Sequence, residues 1–213
     1  MNIEKIFIIN LKERTDRKKQ MIEELKRCNI TNYEFFEAIK PTPQEINEWN
    51  SEFLHTTRHD LQYQTGCLGC MKSHIEIMKL SLKRGYKKIL IMEDDAMFNG
   101  SLDKLQECTK VINDDYDILY LSGSHTQKNH RINQFIMRVK GTLCTIGYVV
   151  TEHVMKFIVK NIIGYDREID HFLVKKVQPI FKCYCIIPHL ISSASGFSDI
   201  QGKYVEYAMI NPY

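Results

Sequence analysis

Residues 87–92 form a nearly continuous apolar run, and three carboxylates follow it at once. A strand that is apolar on both sides has to be buried on both faces, as in a parallel sheet covered by helices. The preceding segment supplies such a helix, since apolar side chains recur there at spacings of three and four residues: Leu68, Met71, Ile75, Met78 and Leu82. Gly85 is placed to end this helix in the left-handed conformation. The pattern predicts a layered α/β fold.

The same alternation of strands and helices continues along the chain. Further strands are predicted at residues 5–10, 33–38, 117–121, 134–139, 142–150 and 182–187. Helices are predicted to begin at Thr15 or Asp16, at the capping box Thr42-Pro43-Gln44-Glu45, at Ser101, at Thr151 and near Asp166. The polar segment 122–131 is interpreted as a loop. No change in composition marks a boundary, so we expect residues 1–213 to form one domain.

Charge and cysteine content exclude several classes of protein. The 29 basic side chains exceed the 26 acidic ones by only three, so no nucleic-acid partner is expected. The aliphatic and aromatic runs at residues 6–9 and 89–92 have four residues each, far short of the roughly 18 that span a membrane, so no transmembrane segment is expected. The start of the chain lacks the apolar region of a signal peptide. Seven scattered cysteines favour free thiols in a reducing compartment, which predicts a cytoplasmic location.

The acidic triplet Glu93-Asp94-Asp95 stands where the buried strand ends. Three adjacent carboxylates repel one another strongly unless a positive charge lies among them. In an extended backbone Glu93 and Asp95 project to the same side and Asp94 to the other. Glu93 and Asp95 are therefore predicted to bind one Mn²⁺ or Mg²⁺ ion, completed by water and phosphate oxygens. The alternative interpretation is a solvated acidic turn.

Two arginines flank the first turn from strand to helix. Arg14 and Arg17 lie where a nucleotide enters an open α/β sheet, and a guanidinium there can bind a diphosphate with two hydrogen bonds. The competing interpretation is a solvated basic face, because lysines surround both residues.

The cysteine pairs carry a weaker signal. Cys67 and Cys70 have the spacing of a zinc or redox pair, and Cys183 and Cys185 offer two more ligands, with His74 and His189 as further candidates. The paired repeat of a structural zinc site is missing, however, and both cysteine pairs fall on elements whose buried faces commonly hold cysteine. We therefore expect packing roles for these cysteines rather than zinc.

Five segments together resemble glycosyltransferase family 25, the lipooligosaccharide and collagen-type galactosyl- and glucosyltransferases. They follow the family's order over nearly the whole chain. They are Ile6-Phe7-Ile8-Ile9-Asn10-Leu11 with Arg14, Asp16 and Arg17; Gly69-Cys70-Met71-Lys72-Ser73-His74; residues 89–95; Asp170-His171-Phe172-Leu173; and Ser198-Asp199-Ile200.

The resemblance implies a GT-A-like fold, that is, an α/β/α sandwich around a mostly parallel twisted sheet. It also implies a UDP-linked hexose donor (glucose or galactose), a divalent cation, inversion at the anomeric carbon, and a glycan or glycosylated protein as acceptor. Residues 1–125 would then bind the nucleotide-sugar and metal, and residues 126–213 would hold the acceptor and the catalytic base.

The resemblance also assigns individual residues. Those expected to contact the nucleotide-sugar are Asn10, Leu11, Arg14, Arg17, Ala38, Ser73, His74 and Asp94. Glu93 and Asp95 would hold the metal; the sequence leaves open whether His189 or Asp199 completes that site. Asp170 would be the catalytic base, with a helix-capping aspartate as the alternative. For His74 the alternative is a core histidine bonded to the backbone.

Two other functions use the same residues. A nucleotidyltransferase would place its metal on the same carboxylates and release pyrophosphate instead of a nucleoside diphosphate. A catalytically inactive relative would bind a glycan without transferring sugar, although the complete acidic triplet argues against it.

Overall fold

The computed structural model describes residues 3–52 and 61–206. Its helices are α1 (Thr15–Arg27), α2 (Pro43–Glu52), α3 (Leu61–Lys83), α4 (Asp103–Lys110), α5 (Glu152–Asn161) and α6 (Ile169–Phe172), and the π-helical turn Leu173–Val177 continues α6. Its strands are β1 (Lys5–Asn10), β2 (Tyr33–Glu37), β3 (Lys88–Glu93), β4 (Ala96–Phe98), β5 (Ile118–Tyr120), β6 (Ser124–His125), β7 (His130–Arg131), β8 (Ile136–Arg138), β9 (Thr142–Leu143), β10 (Gly147–Thr151), β11 (Cys183–Ile186), β12 (Ile191–Ser193), β13 (Gly196–Ser198) and β14 (Lys203–Val205).

One sheet of eight strands organises the molecule, in the order β2-β1-β3-β10-β5-β11-β8-β7. The pairings of neighbouring strands show that β10 and β8 run opposite to the other six. The sheet is therefore mostly parallel in strand direction. Strand β10 lies between β3 and β5, so both predicted halves of the chain contribute to the same sheet.

Helices cover both faces of this sheet. On one face, Met78 of α3, Val154 of α5 and Phe172 of α6 pack in one buried cluster with strand residues. On the other face, α1 and α4 pack through Met21 and Leu105 in a second cluster. Burial of each such side chain stabilises the fold by about 1.5–3 kcal/mol. The predicted GT-A-like class, an α/β/α sandwich around a mostly parallel sheet, is confirmed.

Local signals explain several element boundaries. The capping box forms as predicted: the Glu45 amide donates to Thr42 Oγ1 at 3.2 Å, and the Thr42 amide donates to Glu45 Oε2 at 2.8 Å. Ser101 Oγ accepts from the Asp103 amide at 3.1 Å, where α4 begins. Gly85 follows α3 with φ +79°, the left-handed conformation that ends a helix without steric cost to glycine.

Helix α1 differs from the sequence prediction in two respects. Neither Thr15 nor Asp16 caps it, since the Asp16 carboxylate binds the Arg14 guanidinium instead. The apolar spacing of Met21, Ile22 and Leu25 predicts that all three lie on one buried stripe, but Ile22 is 41% exposed, because the helix packs through Met21 and Leu25 and turns Ile22 to the edge of that stripe.

Three predicted elements further along the chain were also wrong in detail. The strand predicted over 142–150 is two strands, β9 and β10, because Cys144 adopts φ +84° and interrupts the extended backbone. The segment 122–131 contains β6 and β7, since backbone pairing at an edge does not require apolar side chains. The helix expected near Asp166 begins at Ile169, and three short strands follow β11.

Candidate active site

A cavity of about 760 Å³ opens where the parallel strands β1, β2 and β3 end. Ligands of open α/β sheets bind at this edge. Seven of the residues predicted to bind donor or metal line the cavity: Leu11, Arg17, Ala38, Ser73, Glu93, Asp94 and Asp95. Asn10, Arg14 and His74 of that set do not line it. Of the other residues predicted at the site, Asp199 lines the cavity, whereas His189 and the predicted base Asp170 do not.

Asp94 is fixed by two side chains from the first strand and helix. Asn10, the buried last residue of β1, donates from Nδ2 to Asp94 Oδ2 at 2.7 Å. Arg17 of α1 donates from Nη1 to Asp94 Oδ1 at 2.9 Å. Burial raises the pKa of Asp94, and these two contacts oppose that rise. Asn10 thus supports the cavity wall from behind, and Arg17 is the positive charge that the triplet required.

Glu93 is held from the opposite side. Thr145 donates from Oγ1 to Glu93 Oε1 at 2.9 Å, and His74 Nε2 lies 3.8 Å from the same oxygen. The hydroxyl oxygen of Tyr148 lies 3.0 Å from His74 Nδ1. The fully buried imidazole of His74 therefore connects Tyr148 of β10 to the Glu93 carboxylate. Burial raises the pKa of Glu93, but His74 and Thr145 together lower it by more than burial raises it. The net shift of this pKa is therefore downward. His74 therefore contacts Glu93 and not the cavity.

Asp95 is the least compensated carboxylate of the triplet. Its Oδ1 atom is buried without a hydrogen-bond partner within the described part of the chain. Its Oδ2 atom lies 4.0 Å from Arg17 Nη1, beyond hydrogen-bonding distance. Burial first, and then the charge of Glu93, raise the pKa of Asp95 to about 7. A divalent cation between Asp95 and Glu93 would remove both effects.

The C-terminal segment closes one side of the site. Arg14 pairs with Asp16 and with Asp199, and these contacts raise the pKa of its guanidinium despite partial burial. The Phe197 carbonyl accepts from Arg17 at 2.6 Å and from Arg14 at 3.4 Å. Asp199 lines the cavity, whereas Arg14 ties the 197–199 segment to α1 from outside it.

Gly69 and Ser73, in the segment 69–74, each make a contact with the loop after β2 that depends on the residue type. A Cβ atom on Gly69 would lie 2.6 Å from the Ile39 carbonyl oxygen, so only glycine permits this approach of α3 to the loop after β2. One turn later Ser73 Oγ accepts from the Ile39 amide at 2.8 Å and donates to the Gly69 carbonyl at 2.7 Å. The loop that carries Ala38 is thereby fixed against the cavity.

Asp170 lies in a neighbouring, half-buried position. Its Oδ1 accepts from the His171 amide at 2.7 Å and its Oδ2 from the Cys144 amide at 3.3 Å. Glu168, not Asp170, is the residue that precedes α6. Burial raises the pKa of Asp170, and the backbone contact with Cys144 opposes it. The base assignment of Asp170 stays a prediction.

Sequence reasoning missed several contributors to the site, among them the cavity-lining Lys40, Gln62 and Thr65. Thr145 and Tyr148 lay inside a predicted strand without any distinguishing signal, and Phe197 contributes only its backbone carbonyl. Among the described residues, two groups bring three ligand atoms within 4.8 Å of one another: Cys70, His74 and Glu93; and His125, Cys185 and His189. His189 thus belongs to a group that does not include the acidic triplet, and Cys67 and Cys183 belong to neither.

Comparison with known proteins identifies the family of the chain. Residues 3–173 match the family described as "Glycosyltransferase family 25 (LPS biosynthesis protein)". The chain is 26% identical over 188 residues to Procollagen galactosyltransferase 2 of Mus musculus, covering 81% of the chain and 30% of that relative. It is 23% identical over 189 residues to a "Glycosyltransferase 25 family member" of Drosophila melanogaster, covering 81% of the chain and 30% of that relative. The chain belongs to glycosyltransferase family 25.

One relative in the family is named as inactive. The chain is 26% identical over 138 residues to "Inactive glycosyltransferase 25 family member 3" of Homo sapiens, covering 57% of the chain and 22% of that relative. The chain spans less than a third of the length of each of these three relatives. No helix among residues 3–52 and 61–206 has the length and apolarity to cross a membrane.

Proposed function

We propose that this chain is an inverting, metal-dependent glycosyltransferase that moves glucose or galactose from a UDP-sugar to a hydroxyl of a glycan or glycosylated protein. The proposal includes the cytoplasmic location expected from its free thiols. The observation that carries it is Asp95, a buried carboxylate with an unpartnered oxygen and a raised pKa beside Glu93 in the cavity.

The residues at this point fit a hard divalent cation, Mn²⁺ or Mg²⁺. Glu93 and Asp95 offer carboxylate oxygens, which these ions prefer, and both line a cavity large enough for further ligands from water and phosphate. When bound, such a cation neutralises the negative charge that develops on the departing diphosphate.

Arg17 is the chain's own cation at this position. Its guanidinium is fixed by Asp94 and by the Phe197 carbonyl, so its orientation is set before a ligand arrives. A preorganised positive charge stabilises a developing anion without reorganisation at the moment of reaction. Arg17 therefore binds the diphosphate and stabilises it as it leaves.

The acceptor hydroxyl needs a base on the opposite face of the sugar, since inversion is a single displacement. Asp170 is proposed for this proton. Burial raises its pKa, which makes its carboxylate a stronger base than an exposed aspartate.

Product analysis tests the activity. The chain is incubated with UDP-glucose or UDP-galactose, a panel of glycan and glycopeptide acceptors, and Mn²⁺, and the released nucleotide and the anomeric configuration of the product are measured. We expect UDP and an inverted linkage. The variant Glu107→Gln, on the exposed face of α4, serves as a matched charge control for Glu93→Gln.

The rival functions give different outcomes in the same experiment. Pyrophosphate release from a nucleoside triphosphate and a sugar phosphate would identify a nucleotidyltransferase. Binding of a glycan with no binding of UDP or Mn²⁺ in calorimetry would identify an inactive relative, the state that the name of the human protein describes.

A further inference from the structure

Three metal-ligating side chains meet at a place outside the cavity. His125 comes from β6, Cys185 from the buried strand β11, and His189 from the connection between β11 and β12. One ligand atom from each lies within 4.8 Å of the others, and none of the three residues lines the cavity. We refer to these three residues as the His-Cys-His cluster.

Both imidazoles point an unused nitrogen into protein. The Nε2 atoms of His125 and His189 are buried and have no hydrogen-bond partner among residues 3–52 and 61–206. Buried polar atoms without partners are rare because each costs free energy. Two such nitrogen atoms beside the Cys185 thiol therefore indicate a ligand that all three groups share.

The opposite ring nitrogens are already positioned by hydroxyl groups. His125 Nδ1 lies 2.9 Å from Thr142 Oγ1, and His189 Nδ1 lies 3.3 Å from Ser122 Oγ. A neutral imidazole that donates its Nδ1–H to such a partner carries its lone pair on Nε2, which is the arrangement of most metal-binding histidines.

We propose that the His-Cys-His cluster binds a zinc ion through His125 Nε2, His189 Nε2 and Cys185 Sγ. Imidazole and thiolate together select zinc over manganese and magnesium, which prefer oxygen. Binding converts the Cys185 thiol to a thiolate and releases one proton to solvent. Water completes the tetrahedral coordination.

The position of the cluster indicates a stabilising role. Shortly after His189 the chain forms β12, which pairs with β4, the strand that follows the acidic triplet. The Ala194 amide then donates to the Asp95 carbonyl at 2.7 Å. A zinc ion would link β6 and β11 to this connection and so hold the segment that supports the backbone of Asp95.

Metal titration of the chelator-treated chain tests the proposal. Zn²⁺ at a hundredfold excess over its dissociation constant should raise the melting temperature by about 5–10 °C. Co²⁺ should produce the absorption of a thiolate–cobalt bond at this cluster, whereas the colourless Mn²⁺ and Mg²⁺, which prefer oxygen ligands, should not displace Co²⁺ from it. Cys185→Ser and His189→Ala should abolish the cobalt absorption.

Matched variants separate the possible sources of the signal. Cys183→Ser removes a buried thiol two residues away on the same strand and should leave the absorption intact. Loss of the absorption in Cys70→Ser, with retention in Cys185→Ser, would move the metal to the group of Cys70, His74 and Glu93 and overturn the proposal. Absence of thiolate absorption in the folded wild-type chain would overturn it as well, whether or not any variant folds.

Discussion

Arg17 and Asp94 form an ion pair of 2.9 Å between Nη1 and Oδ1 at the edge of the cavity. This pair divides the acidic triplet into unequal parts. Asp94 is compensated by Arg17 and Asn10, whereas Asp95 keeps a buried oxygen without a partner in the described structure. The proposed cation would therefore lie beside Asp95, the carboxylate whose charge is least compensated.

The metal proposal predicts the behaviour of Asp95→Asn. The amide preserves the shape of the side chain but removes a charge that the cation needs. Transfer should fall by about a hundredfold or more, and Mn²⁺ should no longer strengthen UDP binding in calorimetry. Glu93→Gln should be nearly as damaging, while Glu107→Gln should behave as the wild type. Full activity in EDTA would refute the metal assignment.

The diphosphate proposal predicts a selective effect of Arg17→Ala. Loss of a charged contact to phosphate should weaken UDP binding by about tenfold or more and leave uridine binding nearly unchanged. Arg14→Ala is the matched comparison, because Arg14 pairs with Asp16 and Asp199 but does not itself line the cavity, and it should have the smaller effect on UDP. An equal loss for UDP and uridine in Arg17→Ala would make Arg17 a structural residue.

The sequence predicted part of the cavity lining because several of its residues follow strand ends. Leu11, Ala38 and Glu93 stand at or just after the ends of β1, β2 and β3, and apolar runs identify those ends well. Thr145 was not predictable, since it reaches Glu93 only because the positive φ of Cys144 breaks a strand that the apolar pattern predicts to be continuous. Long-range contacts of this kind leave no trace in local sequence.

The His-Cys-His cluster was not predictable for the same reason, since it depends on contacts between residues far apart in the sequence. Spacing directed attention to Cys67, Cys70, Cys183 and Cys185, which the fold does not gather into one group. His125 lies 60 residues before Cys185 in the sequence, in a segment interpreted as a loop. Only the pairing of β6 with β9 and the path of the chain after β11 bring it to Cys185 and His189.

The raised pKa of Asp95 predicts a pH dependence of stability in the metal-free chain. Between about pH 4 and pH 7 the folded chain keeps a proton on Asp95 that the unfolded chain has released, so the free energy of unfolding falls as pH rises. The difference in melting temperature between wild type and Asp95→Asn isolates this contribution from other carboxylates. As pH rises across this range, the melting temperature of the wild type should fall relative to that of Asp95→Asn. Addition of Mn²⁺ should reduce this relative fall. A difference that is constant with pH would contradict the assigned pKa.

Close packing at Gly69 predicts the effect of Gly69→Ala. The added Cβ would lie 2.6 Å from the Ile39 carbonyl, so helix or loop has to move, which should cost about 1–3 kcal/mol in the free energy of unfolding. UDP binding should weaken as well, since Ala38 moves with the loop. Gly196→Ala is the control, because nothing lies within 4 Å of a Cβ there and its φ is not positive. Equal stability of the two variants in denaturant unfolding would show that the loop yields freely.

The base assignment predicts the effect of Asp170→Asn. Asparagine keeps one carbonyl oxygen for the His171 or Cys144 amide, so folding should be preserved with a loss of about 1 kcal/mol for the other hydrogen bond. The amide cannot accept a proton, so transfer should fall by about a hundredfold or more while donor binding stays near normal. Asp166→Asn, in the turn before α6, is the matched control and should transfer sugar at the normal rate. The measurements are initial rates of UDP release with acceptor, calorimetry with the UDP-sugar, and the melting temperature. A near-normal rate for Asp170→Asn would leave Asp170 with a purely structural role, bonding two backbone amides. Asp199, or Asp166 if its own variant is slow, would then be the next candidate for the base.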